Sequence, residues 1–174
     1  MVRLDQGRVG ELEPLIAQAA ADNPGLPVVR ALLGLSYAEL ERREDAQRVF
    51  AIDAANGFSE IPYDLAWATS LSALSHVCAY LEDTEGAALL FEKLRPSTGL
   101  IGHSVVFTLG AVDRYLGVLA TTLGRFDEAE SYFVAATDVT NGPGPGCGWP
   151  GPSWTTLLCS SAGTDRAMPR RRAV

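Results

Sequence analysis

Apolar and small residues recur along this chain at intervals that are too regular for chance. Ala46, Ala87 and Ala129 are each followed four residues later by Phe50, Phe91 and Phe133. Six residues before each Ala stands Leu40, Leu81 or Leu123, and thirteen before stands Leu33, Leu74 or Leu116. Twelve before stands a small residue, Gly34, Ser75 or Gly117. Tyr37, Cys78 and Ala120, nine before, follow the scheme more loosely. A half unit precedes these three, because "GRVGELEPLIAQAAADNP" aligns with "GRFDEAESYFVAATDVTN" and puts Leu12 and Ile16 where Ala129 and Phe133 stand. The spacings from Leu12 are then 34, 41 and 42 residues. Self-similarity at that period marks stacked helical units.

The physics of the positions predicts paired helices. Leu and the small residue share one helix, where the small residue lets a second helix come close. Ala does the same from the start of the second helix, and Phe one turn later fills the space between the two. Polar turns, "ERREDA", "EDTEGA" and "GRFDEA", separate the members of each pair. Their acids suit the positive end of the helix that follows, and Gly124 suits the end of the helix before it. The pattern predicts helices over 9–22, 28–42, 44–56, 64–82, 85–95, 104–123 and 126–139. The segments 56–64 and 95–104 accommodate the longer intervals, with Val105, Val106 and Phe107 leaving room for an extended start. The expected fold is all-α, a right-handed solenoid of antiparallel helix pairs: an orphan second helix and then three pairs in residues 1–141.

These positions carry a resemblance. Leu33-Gly34, Tyr37, Ala46 and Phe50 resemble the tetratricopeptide repeat, as do Leu116-Gly117, Ala129 and Phe133; the middle unit keeps Leu74, Ala87 and Phe91. More narrowly, "RALLGLSYAELERREDAQRVF" and "YLGVLATTLGRFDEAESYFVAA" are similar to the C-terminal helical region of large actinobacterial regulators. Those regulators are of the LuxR or signal-transduction ATPase type, some with an adenylate cyclase domain. The resemblance covers about residues 7–141 and none of their ATPase, cyclase or DNA-binding parts. It implies a concave groove, lined by the first helix of each pair, that takes a protein or peptide segment. Thr69, Ser72, His76 and Ala79 of the middle unit then face that groove, followed by Ala111, Arg114, Val118 and Thr121 of the next. Arg114 either holds a partner's carboxylate or pairs with an acid across the repeat.

Charge narrows the partners. The net charge is −7, with +3 on residues 142–174 (Asp165 against Arg166, Arg170, Arg171 and Arg172) and −10 on the rest. An acidic body argues against direct nucleic-acid binding. Uncharged runs of 17 residues at 65–81 and 96–112 are broken by Ser, Thr or His, and the start lacks a signal-peptide core, so neither a membrane partner nor export is expected. Cys78, Cys147 and Cys159 have no paired spacing and read as reduced cytoplasmic thiols.

Candidate chemistry is thin. His76, Cys78 and His103 are the groups that would serve a metal or a thiol nucleophile. Residues two apart on a helix diverge, so His76 and Cys78 do not converge. "GLSYA" (34–38) lies inside a helix and not on a nucleophile elbow, and "GPGPGCG" lacks the free N–H groups of a phosphate loop. No cofactor, metal site or catalytic set is expected. The reading is a non-catalytic interaction or scaffold module, a piece of a bacterial transcriptional or signalling regulator. The alternatives are a degenerate remnant and an enzyme, thiol-dependent through Cys78 or using the histidines. Exposed apolar ends lead to an expectation of weak self-association.

Residues 142–174 abandon the pattern where another first helix is due, and their Pro and Gly density predicts disorder. Codons read one base earlier give Ala at the Trp149–Pro150 junction and Asp at Trp154–Thr155, and they permit a helix. The tail is therefore expected to be out of frame, in line with the GC-rich coding implied by one Lys against 13 Arg.

Overall fold

The structure, a computed structural model, describes residues 9–103 and 108–141. Helices dominate: α1 Val9–Asp22, α2 Pro27–Glu39, α3 Arg43–Ala54, α4 Trp67–Leu81, α5 Thr84–Leu94, α6 Val112–Thr122 and α7 Phe126–Asn141. A 3₁₀ turn, Arg95–Ser97, leads into two short strands, β1 Ile101–His103 and β2 Thr108–Ala111. Among the described residues the fold is all-helical apart from this hairpin. The expected tail beyond 141, with Cys147 and Cys159, lies outside the described residues, as do Val105, Val106 and Phe107.

The helices form two layers. α2, α4 and α6 pack one against the next. On their other side α1 lies on α2, α3 on both α2 and α4, α5 on both α4 and α6, and α7 on α6. The positions that recur in the sequence form the seam between the layers. Ala46 and Ala87 have no exposed surface and Ala129 very little; Phe50, Phe91, Leu33, Leu74 and Leu116 are buried, with Phe133 half-buried. At Gly117 the second helix comes so close that an added Cβ would stand 2.7 Å from the Phe133 ring.

The turns repeat as well. The residue five before each repeat Ala is left-handed in all three units: Glu41 (φ 56°), Glu82 (φ 60°) and Gly124 (φ 73°). In each, the next amide donates to a carbonyl five residues back, Arg42 to Tyr37 (2.9 Å), Asp83 to Cys78 (3.1 Å) and Arg125 to Ala120 (2.8 Å). This closure satisfies carbonyls that the helix end leaves open. Asp83 also caps α5, its Oδ1 accepting from Gly86 N at 3.0 Å.

Both longer intervals fold back onto the core. In the first, Phe58 and Ile61 are buried, and Phe58 meets Phe50 with ring centroids 5.5 Å apart. The second corrects the expected helix over 104–123, which begins only at Val112. Residues 108–111, Ala111 included, belong to strand β2. It pairs antiparallel with β1 in the register Ile101 to Ala111, Gly102 to Gly110 and His103 to Thr108, passing over Leu109. Gly110 at φ 89° stops any helix from running through this segment.

Candidate functional site

The face named by the repeat alignment lies on α4 and α6, and in the middle unit it is covered. Thr69 and Ser72 have no exposed surface and His76 is 7% exposed, while Ala79 is half-buried. β1 and β2 both pack on α4, and a Cβ on Gly102 would stand 3.4 Å from Ser72 Oγ. On α6, Arg114 and Thr121 are half-buried and Val118 is buried. Thr121 spends its hydroxyl on its own helix, donating to Gly117 O at 2.9 Å.

The hydroxyls of α4 divide into two kinds. Ser70 donates to Ala66 O (2.9 Å) and Ser75 to Leu71 O (2.7 Å), the usual back-bond to the preceding turn. Thr69 Oγ1 and Ser72 Oγ, equally buried, have no hydrogen-bond partner among the described residues. Each such orphan costs about 1–3 kcal/mol of desolvation. Asp113 Oδ1 is a third, although its Oδ2 accepts from Gly99 N at 2.8 Å.

A polar group links the three inner helices. His76 Nε2 lies 3.3 Å from Glu39 Oε1 of α2. Burial, reinforced by the positive charge of Arg114 on α6, pushes the His76 imidazole down to about 3. His76 is therefore neutral near pH 7, and its contact with Glu39 is not an ion pair there. Glu39, His76 and Arg114 stand seven, eleven and fifteen residues before Ala46, Ala87 and Ala129, so each step between helices slips by one turn. Tyr115 lies beside them, its hydroxyl donating to Leu109 O at 2.8 Å. Burial raises that phenol to about 12, with Arg114 opposing the rise and Glu39 adding to it.

Cys78 faces away from this group. Its thiol donates to Asp83 O at 3.1 Å, and burial, assisted by the charge of Asp83, raises its pKa. A thiol held in that state supplies little thiolate. Among the described residues, no cluster of His, Cys, Asp and Glu is arranged to hold a metal, and no helix is long and apolar enough to cross a membrane. An open cavity of about 510 Å³ lies on the other layer, between α3 and α5. Phe50, Ala51, Ala54, Phe58 and Leu89 line it, with Arg43, Gln47 and Glu85 among its polar groups. Among the described residues, no His, Cys, Ser or Thr lines it.

Sequence reasoning did not name Glu39, Tyr115 or Asp113, nor the pair Arg30–Asp53. Arg30 grips the buried Asp53 through Nε to Oδ2 (3.0 Å) and Nη2 to Oδ1 (2.6 Å), and this bond raises the Arg30 pKa. A signal existed for Asp53, since it fills the slot that Leu94 and Ala136 fill in the later units. Comparison with known proteins returns no match: no family model, no curated protein and no solved structure matches the chain.

Proposed function

We propose that this chain is a tetratricopeptide-like solenoid that works as a non-catalytic interaction module, holding a protein or peptide segment against its inner layer. The observation that carries this reading is the threefold recurrence of one turn geometry, at Glu41, Glu82 and Gly124, with one Ala–Phe seam beneath it. Units of this kind stack by nearest-neighbour contact and leave one continuous face of first helices. That face is rich in donors and acceptors: Thr69, Ser72, His76, Arg114 and Thr121, joined by Glu39. The thiol alternative has little to stand on, since Cys78 is buried with its proton engaged. By the resemblance of residues 7–141, the module belongs to a bacterial transcriptional or signalling regulator that works in the cytoplasm.

The test is a peptide-display selection against the full chain, followed by NMR mapping of the selected peptide. Shifts concentrated on α2, α4 and α6 are expected. Shifts confined to the α3–α5 cavity, or no selected binder, would contradict the reading.

A further inference from the structure

We propose that strands β1 and β2 are a displaceable occupant of a latent binding surface on α4, formed by Thr69 and Ser72, and that an extended peptide segment takes their place. The inference rests on the interaction reading above and supplies what that reading lacks, namely how a covered face receives a partner.

Two observations carry it. The first is the mismatch between the strands and the surface beneath them. Ser70 and Ser75 on the same helix have partners, whereas Thr69 Oγ1 and Ser72 Oγ have none among the described residues despite complete burial. A permanent partner for α4 would satisfy these hydroxyls or meet apolar side chains instead. The second is the placement of the hairpin's anchors. Gly99 N donates to Asp113 Oδ2 (2.8 Å), Val112 N to Leu100 O (2.9 Å) and the Tyr115 hydroxyl to Leu109 O (2.8 Å). All three tie the strands and their lead-in to the first turn of α6. Swinging on that base separates β1 from Ser72 without breaking a hydrogen bond to either orphan hydroxyl.

The same geometry states the chemistry of the replacement. Two helix hydroxyls with protons to give call for backbone carbonyls, which an extended segment presents at regular spacing. A Cβ on Gly102 would make ordinary contacts, 3.4 Å from Ser72 Oγ and 3.6 Å from Gly110 O, which leaves little room for anything larger than a methyl. The segment therefore carries Gly or another small residue opposite Ser72.

The experiment is hydrogen–deuterium exchange on the full chain and on two variants, Gly102→Val and the double change Thr69→Val with Ser72→Ala. In the parent, amides of 101–103 and 108–111 should exchange at least about ten-fold faster than those of α4, through local opening. The double variant, with no orphan hydroxyls beneath the strands, should slow that exchange. Gly102→Val should speed it, with α2 and α3 protected as in the parent. A soluble peptide library fixed with Gly at its centre should then bind Gly102→Val more tightly than the parent. Adding Thr69→Val and Ser72→Ala to Gly102→Val should weaken that binding about ten-fold or more. Strand amides that exchange only with global unfolding would overturn the proposal and leave the interaction reading standing. Strands that open while no library peptide binds would overturn the interaction reading and the assigned occupant with it.

Discussion

Gly34 and Gly117 hold the same place in the first and third complete units, yet one added methyl should move stability in opposite directions. At Gly34 the new Cβ would meet Val77 and Val49 methyls at 3.4 and 3.5 Å, ordinary contacts. Gly34→Ala should therefore stabilise by about 0.5–1 kcal/mol through helix propensity. At Gly117 it would fall 2.7 and 2.8 Å from the Phe133 ring. Gly117→Ala should cost about 1–3 kcal/mol of overpacking, only partly offset by propensity. Urea denaturation of both variants reads the difference. His76 supports a second prediction at this scale. Its pKa falls from 6.5 to about 3 on folding, among Glu39 of α2 and Arg114 and Tyr115 of α6. The unfolded chain takes up a proton below pH 6.5 that the folded chain refuses, so stability is lost as pH falls from about 6.5 toward 3. Between pH 6 and 5 this amounts to roughly 1 kcal/mol per pH unit. His76→Gln should flatten the slope in that window, and an unchanged slope would show that His76 titrates normally in the fold. The seam residues were legible in the sequence because packing fixes their identity. Glu39 and Arg30 were not, because a single charge near a helix end looks the same whether it faces water or a neighbour.

At the scale of elements, the left-handed residue that closes each first helix is a Gly only in the last unit. Glu41 and Glu82 adopt the same conformation at φ 56° and 60° and carry a Cβ penalty there. Glu41→Gly and Glu82→Gly should each raise stability by about 0.5–1 kcal/mol, measurable as a higher thermal midpoint. No change would indicate that the turns are not strained. Six helices were legible in place, with ends within a few residues, because each has a seam residue every turn. The start of the remaining one, α6, was not. A strand announces itself by alternation over four or more residues, and "GLIGHSVVFTLGA" (99–111) offers no such run. β1 is three residues long, and the register skips Leu109.

Across the whole molecule, two layers of helices share one seam, and the inner layer has its middle covered by the hairpin. The order and pairing of the helices follow from spacing along the chain. The covering does not, because contact between β1 and Ser72 joins residues some thirty apart that no periodic pattern relates. The alignment thus identified Thr69, Ser72 and His76 as inner-face residues without revealing that they are buried. The central claim, that one Ala–Phe seam holds successive helix pairs together, is tested most directly by chemical denaturation of Ala87→Trp against the exposed control Glu92→Gln. Ala87 has no exposed surface and lies in the core with Phe91 and Leu74. An indole there should cost about 1–3 kcal/mol or more, while the control stays within about 0.5 kcal/mol of the parent. An Ala87→Trp variant that unfolds at the same denaturant concentration as the parent would contradict the account.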